Sequence, residues 1–496
     1  MEQVALWELH AQIESCRYEV RGGLGFLHPT TPDASNSSTP ARHWLPDTLI
    51  FFQMKPEFDF FQHWYPLSPV EDLDPKQPTA VTLLGLRLVI WKPKSSETFQ
   101  VFLDQCPHRL APLSEGRIDD KTGNLMCSYH GWQFDQQGIC THIPQAENPE
   151  LVSKNKENLC AVGLPVRQQQ DLLWVWADAK SREQAANTPL PLSPQIDASK
   201  GFVWSSFVRD LEYDWQTLVE NVADPSHVPF AHHGVQGDRS KARPIPIKIV
   251  QSTPNLIEAA TVGGFETTIT FEAPCRLEYA IKFGNSQKQV GLVTYCIPVS
   301  PGKSRIVAQF PRNFAKTLHR LRPRWWDHIS ERNLVLDGDM VLLQQQEYFL
   351  QQRQSAQSWK TAYQLATSAD RLVIEFRNWF DRYCHGQLPW SEVGINVPPT
   401  PNINSDRQQM LDRYKQHTQH CRSCQEALLV VQRLQAVLLI YFVITVCAVA
   451  LLPDRLQLTL GLPLIAIALL GLGAYAWLRF WLRPRFYFVD YIHAHR

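Results

Sequence analysis

Apolar and polar positions divide this chain into stretches of different periodicity. Between residues 50 and 180 the apolar residues come in short runs: Val81–Leu84, Leu86–Trp91, Phe99–Leu103, Gln133–Phe134 and Leu172–Trp176. Turn-forming residues such as Gly138 separate them, so each run predicts a strand and the whole predicts a small all-β domain. Ala179–Ser199 is polar and proline-containing, which suits a linker. Residues 200–400 predict a second domain. Its strand-like runs are Phe202–Val208, Leu256–Val262, Thr267–Phe271, Leu277–Phe283, Val290–Pro298 and Ser304–Phe310, and helical patterns cover Leu211–Glu220 and Asp339–Leu350. One antiparallel sheet covered by helices, an α+β arrangement, is expected. Trp359–Cys384 continues as helix, and Gly386–Ser405 is a proline-rich loop. Residues 401–430 hold a further helix and a Cys-x-x-Cys pair. Ahead of all this, residues 1–49 form an N-terminal segment whose His28–Arg42 stretch, rich in Pro, Ser and Thr, predicts a disordered linker.

The pattern changes again near the C-terminus. Ala436–Leu452 and Leu456–Leu478 carry no charged residue. Both approach the length that crosses a bilayer, and neither has a polar face, so 434–480 predicts a transmembrane hairpin followed by a tail, 481–496. Arg422 and Arg433 precede the first run; Arg479, Arg483 and Arg485 follow the second. The bias of positive residues toward the cytoplasmic side then places both flanks, and the catalytic body with them, on the cytoplasmic or stromal side. Trp477, Trp481 and Tyr487 suit an interfacial belt. With no ionisable residue inside either run, an anchor is expected rather than a transport path.

Composition narrows the partners. The 496 residues include 48 Lys+Arg and 48 Asp+Glu, so there is no net charge and no electrostatic footprint for nucleic acid. Eleven cysteines without regular spacing point to a reducing compartment. The N-terminus lacks the apolar core of a signal peptide and, with Glu2, Glu8, Glu14 and Glu19, the acid-poor character of a transit peptide.

The chemistry is concentrated in Cys106-Pro-His108-Arg109 and Cys127-Ser-Tyr-His130-Gly-Trp132, two matched Cys/His pairs. Two thiolates for one iron and two imidazoles for the other make the ligand set of a Rieske [2Fe–2S] cluster. A Cys2His2 zinc site uses the same residue types. Iron–sulfur is favoured because each loop mixes one Cys with one His and so serves both irons. Gly131 also follows His130 where backbone must pass close to a cluster, and Pro107 and Pro112 stiffen the first loop. The pattern resembles the Rieske domains of ring-hydroxylating oxygenases. It departs from the respiratory Rieske proteins, whose additional cysteines are replaced here by Ala111 and Tyr129.

A second constellation is Asp224-Pro-Ser-His227-Val-Pro229-Phe-Ala-His232-His233. A non-haem Fe(II) site needs two His and one carboxylate. His227 and His232 are five apart, poorly placed on one regular helix, and Pro229 is expected to end or kink the helix between them. The spacing resembles the mononuclear-iron motif of Rieske oxygenases. That resemblance implies His227 and His232 as ligands, with His233 set aside on spacing, and Asp224 as the bridge for the incoming electron. It implies an aspartate before an apolar helical run as third ligand, Asp339 in preference to Asp337.

The segments Phe61-Gln-His-Trp-Tyr-Pro66, Val219 to His232, and Leu411-Asp-Arg-Tyr414 with His420-Cys421-Arg-Ser-Cys424 resemble the pheophorbide a oxygenase family, which includes lethal-leaf-spot proteins and the Rieske component of the chloroplast translocon. The resemblance runs from about Ile50 to the end. It implies a helix-grip-like catalytic domain, electrons from ferredoxin or a similar donor, O2 as oxidant, and a homotrimer in which the Rieske centre of one subunit serves the iron of its neighbour. It implies a large apolar substrate, a chlorophyll-derived tetrapyrrole first, with carotenoid or sterol oxidation and a non-catalytic redox-sensing translocon subunit as alternatives. The His227, His232 and Asp339 set, which a pure sensor does not need, favours the enzyme. A cyanobacterial thylakoid or plasma-membrane protein, or a mature plastid chain, is expected. No flavin or nicotinamide fingerprint is present, so the reductase is expected on another chain. For Cys421 and Cys424, metal binding is set aside because only His417 and His420 lie nearby. Inert thiols and a reversible disulfide remain, and the family resemblance, which marks the pair as a thioredoxin target, favours a redox switch beside the anchor.

Overall fold

The computed structural model describes residues 58–148, 159–284, 286–354, 359–397 and 406–496. The N-terminal segment and the Pro/Ser/Thr-rich linker lie outside the described residues.

The first domain is all-β, as the short apolar runs require. Trp64–Pro69 and Val166–Gln169 flank Leu172–Trp176, and Thr79–Leu83, Leu86–Trp91, Gln100–Leu103 and Gly163–Leu164 form a second antiparallel sheet. A third, small sheet of Arg117–Ile118, Leu125–Met126, Gln133–Phe134 and Cys140–His142 carries the second Cys/His loop between its Leu125–Met126 and Gln133–Phe134 strands. It has its own core, in which Trp91, Phe102, Leu113, Leu125 and Phe134 pack behind Cys106 and Cys127. Every residue of Leu172–Trp176 is buried. That strand lies between domains, with the Trp174 ring edge-on to Tyr295 at 5.1 Å. The turn Leu84-Gly85 likewise donates its N–H groups to Pro298 and Val299 of the second domain. The two domains share one continuous core.

The second domain is one seven-stranded antiparallel sheet. Its order runs Ser206–Leu211, Lys303–Gln309, Gln289–Ser300, Arg276–Lys282, Glu266–Glu272, Leu256–Thr261, Ile247–Ser252. Five of these follow the apolar runs closely, and the first strand begins later than expected. Ile247–Ser252 was not expected, because only Ile247 in it is buried and the apolar run is too short to register. Helix α1 (Trp215–Ala223) lies across the sheet with six of its nine residues buried. Helix α2 (Asn333–Gln354) starts well before Asp339, continuing from a wider turn at His328–Arg332, so Asp339 sits in its second turn rather than at its head. The expected helix Trp359–Cys384 is broken: Thr367 and Asp370 cap each other and start α3 (Arg371–Cys384) afresh.

Two long apolar helical segments follow, α4 (Arg422–Ala450) and a continuous helical stretch from Asp454 to Phe486 whose centre is α5 (Leu462–Trp477). They pack against each other, with Gly471 facing Leu438 and Tyr441. Most of their remaining apolar side chains, among them Ile440, Ile444, Leu470 and Phe480, stand exposed. Past Phe486 the chain returns to the second domain. The tail is therefore not a free end: Tyr491 is buried and donates its hydroxyl to the Ala231 carbonyl at 2.8 Å.

Candidate metal centres

The two Cys/His loops are built alike. In each, the cysteine N–H donates to the carbonyl five residues on, Cys106 to Ala111 at 2.8 Å and Cys127 to Trp132 at 2.9 Å. In each, the residue four on donates back to the cysteine carbonyl, Leu110 to Cys106 at 2.8 Å and Gly131 to Cys127 at 3.0 Å. Closing such a loop needs a left-handed residue at the fourth position, supplied by Leu110 at φ 57° and Gly131 at φ 71°. Gly131 has a further constraint, since a Cβ there would stand 3.0 Å from the Pro144 ring; among the described atoms, that ring is what limits the position. Both sulfurs are buried, His108 is exposed and His130 half-buried. The His108 ring stacks on Trp132 at 4.5 Å and meets His130 edge-on at 4.5 Å. Arg109 lies over the Tyr129 ring, 5.6 Å away.

This donor set fits a two-iron cluster. Two buried sulfurs lie inside and two imidazoles at the rim, the donors for the two irons of a Rieske cluster. Burial pushes the Cys106 thiol up to about 12, and the nearby Cys127 adds to this. Metal coordination opposes that burial, because the ligand form is the thiolate. Desolvation, with His130 and Arg109 close by, holds His108 below its usual value.

In the second domain the structure brings His227, His232 and Asp339 to one point. His227 Nε2 and His232 Nε2 are 3.1 Å apart, and Asp339 Oδ1 lies 3.4 Å from His232 Nε2 and 3.8 Å from His227 Nε2. The rings stand at 82° to each other. Local sequence explains the convergence. Helix α1 stops at Asp224, and a separate one-turn helix, Val228–Ala231, carries Pro229 in its first turn, where the missing N–H costs nothing. Pro229 thus starts a turn rather than ending a helix, and the two imidazoles project from either side of it. His233 points away and accepts from the Arg239 N–H at 3.2 Å. Asp337 is also excluded from the cluster, for Arg209 reaches its Oδ1 at 2.7 Å and Arg413 its Oδ2 at 2.9 Å.

Asp224 lies beside the trio, its Oδ2 3.7 Å from His227 Nδ1, while its Oδ1 accepts from the Ser226 N–H at 2.7 Å and hydroxyl at 2.5 Å. Burial raises the Asp224 carboxyl, but His227 and the Ser226 donors outweigh it and hold Asp224 below the usual range. Burial likewise opposes charge on His227, and the Asp224 and Asp339 carboxylates reverse it. His232, buried with less compensation, is held below its usual value. The Nδ1 atoms of His227 and His232 are buried without a hydrogen bond, and both Nε2 atoms face Asp339. Two imidazole nitrogens and one carboxylate oxygen on one side of a point are the donors of a mononuclear iron site with open positions.

Some neighbours left no signal in the sequence. Asn221 donates to Asp339 Oδ1 at 3.4 Å. The C-terminal tail packs over Gly338, whose added Cβ would stand 3.0 Å from the Tyr491 ring. Cys421 and Cys424 lie elsewhere, buried at the start of α4.

Known proteins resemble the chain over these elements. A family model described as the Rieske [2Fe-2S] domain matches residues 63–162, and one described as pheophorbide a oxygenase matches residues 271–357. A chloroplastic pheophorbide a oxygenase of Oryza sativa subsp. japonica is 40% identical over 460 residues, covering 88% of this chain and 85% of its own. The chloroplastic flavonoid 8-hydroxylase 2 of Ocimum basilicum is 32% identical, covering 88% of this chain and 86% of its own. Among solved structures, dicamba monooxygenase bound to dicamba superposes with a TM-score of 0.53 at 20% identity, over 65% of this chain and 97% of that one, a likeness of fold.

Proposed function

Because this chain belongs to the pheophorbide a oxygenase family of Rieske oxygenases, we propose that it is a membrane-anchored monooxygenase of a chlorophyll-derived tetrapyrrole, with pheophorbide a as first substrate. The observation that carries the reading is the meeting of His227, His232 and Asp339 within one chain that also holds the two Rieske loops. When bound, the cluster and the mononuclear iron together supply one-electron transfer and oxygen activation.

In this reading Cys106, His108, Cys127 and His130 hold the cluster, and His227, His232 and Asp339 hold the iron. Exposed His108 would lie on the electron's way out of the cluster toward a neighbouring subunit, with ferredoxin or a similar carrier as the donor. Asp224 would stand at the far end of that path, where it orients His227 and links the two imidazoles. That route is the reason for a homotrimer. Helix α4 and the Asp454–Phe486 stretch form the anchor. Their contacts with Ile329 and with each other through Leu428, Val431, Leu478 and Phe486 support a position in which both membrane-entry points sit against the catalytic body. The arginines at those two ends support a cytoplasmic or stromal side for that body.

The test is to incubate the reduced, detergent-solubilised protein with ferredoxin, labelled O2 and, separately, pheophorbide a, a carotenoid, a sterol and a flavonoid. Label in the tetrapyrrole product alone supports the reading. Label only in one of the others replaces the substrate and keeps the chemistry. No label in any substrate, with both iron centres loaded, would favour the non-catalytic translocon role.

A further inference from the structure

The Cys-x-x-Cys pair faces two histidines from distant parts of the chain. Cys421 precedes the first turn of α4 and Cys424 lies within it. Across from them stand His328, in the turn leading into α2, and His417. All four side chains are buried, and their inward atoms lie within 4.8 Å of one another. His417 Nε2 is 3.1 Å from His328 Nδ1 and 3.3 Å from Cys424 Sγ, while His328 Nδ1 is 3.6 Å from each sulfur.

The outer nitrogens decide what the inner ones can do. His328 Nε2 faces the Ser206 carbonyl at 3.2 Å, and His417 Nδ1 faces the Val208 carbonyl at 2.6 Å. These carbonyls are two residues apart on the edge strand Ser206–Leu211, so they point the same way. A carbonyl oxygen only accepts, so each outer nitrogen carries the hydrogen and each neutral ring turns a lone pair inward. The two thiol hydrogens can satisfy at most two of the four close contacts. The N···N contact and one S···N contact are then lone pair against lone pair. A cation at the centre removes that conflict.

The edges also have the right length. Metal–sulfur arms of about 2.3 Å and metal–nitrogen arms of about 2.0–2.1 Å at tetrahedral angles give N···N edges of about 3.3 Å and N···S edges of about 3.5 Å. Carbonyl-anchored imidazoles are the usual support of metal-bound histidine. We propose that His328, His417, Cys421 and Cys424 form a third metal centre, a closed Cys2His2 site for one tetrahedral zinc ion. With four protein ligands and no exposed ligand, the site is structural. It ties the edge strand, the turn ahead of the Asp339 helix and the first membrane helix into one unit. Bound zinc also occupies both thiols, so the pair is not a free dithiol switch.

The experiment uses the full-length protein in detergent, loaded with iron and sulfide and then exposed to Zn²⁺ alone. Element analysis is expected to find one zinc per chain besides the iron of the other two centres, and absorption at the zinc edge to show two sulfur and two nitrogen neighbours. Cys424→Ser is expected to lose the zinc while keeping the Rieske electron-resonance signal. His232→Ala is expected to keep the zinc, which locates the ion away from the mononuclear site. Zinc-edge absorption on the unaltered protein stands even if Cys424→Ser does not fold. Absence of zinc from the iron-loaded protein, a zinc shell without sulfur, or ready formation of a Cys421–Cys424 disulfide in the zinc-exposed native protein would overturn the proposal.

Discussion

Asp337 and Asp339 lie two residues apart in the same turn of α2, and their carboxylates face opposite ways. Asp337 is fully buried between Arg209 and Arg413. Asp339 faces His232 and His227. The side chains of neighbours two apart on a helix diverge by more than half a turn, so one position serves stability and leaves the other to the proposed iron site. Asp339→Asn is expected to lose the mononuclear iron and turnover while the Rieske spectrum and the unfolding midpoint stay close to wild type. Asp337→Asn leaves two buried guanidinium groups without a counter-charge and should cost about 3–5 kcal/mol. Denaturant titration of both variants, with iron analysis, checks the pair: an Asp337→Asn protein that is stable but iron-free would exchange the two roles.

Asp224→Asn keeps the shape of the side chain and removes its charge beside His227. Both metal centres are expected to stay bound, because Asp224 does not join the His227, His232 and Asp339 cluster. Turnover is expected to fall by about 10–100-fold or more, the scale found when the partner that orients a metal-bound imidazole is lost. Single-turnover reduction separates the possibilities. The cluster should reduce at the normal rate and reoxidise slowly, whereas normal reoxidation would remove Asp224 from the electron path.

The matched Rieske loops give a reciprocal pair of variants. Leu110 occupies a left-handed position that a Cβ disfavours by about 1–2 kcal/mol, so Leu110→Gly should retain the cluster and raise stability. Gly131→Ala adds the same penalty and presses a methyl against Pro144, so it should lower cluster retention. Acid-labile sulfide per chain, measured after mild heating, reads both. A Gly131→Ala protein holding as much sulfide as wild type would show that the second loop tolerates the change by shifting Pro144.

The sequence disclosed what is local. The Rieske loops are read from spacing alone, and Leu172–Trp176 emerges as a strand because all five of its residues are apolar or aromatic and all five are buried. His227 and His232 were legible as a pair, and the choice of Asp339 over Asp337 rested on the helical run that follows. What stayed hidden depends on distance along the chain. His328 comes to Cys421 from 93 residues away, with no spacing rule to connect them, so metal binding at the Cys-x-x-Cys pair looked short of ligands. Arg209 and Arg413 mark Asp337 as structural only once the fold has brought them together. Tyr491 reaches Ala231 across 260 residues, and no local spacing in the aromatic-rich tail signals it.

A buried acid behind α1 sets the last expectation. Glu347 Oε2 accepts the Asp214 N–H at 2.8 Å and the Thr217 hydroxyl at 3.1 Å, and Gln351 donates to its other oxygen at 3.3 Å. Burial, with the Asp214 carboxyl as second cause, raises Glu347 to about 8. Asp214 is raised as well, chiefly by burial. In the unfolded chain such a glutamate ionises near about 4.3. Between these values the folded protein holds a proton that the unfolded chain has lost, so raising the pH favours unfolding. The contribution is complete below the unfolded value and is lost as pH rises through about 8, at up to about 1.4 kcal/mol per pH unit. Glu347→Gln mimics the protonated acid and cannot ionise. Thermal unfolding of both proteins from pH 5 to 9 should therefore show the variant gaining on wild type as the pH rises. A constant difference between them across that range would mean that Glu347 is ionised in the folded protein throughout.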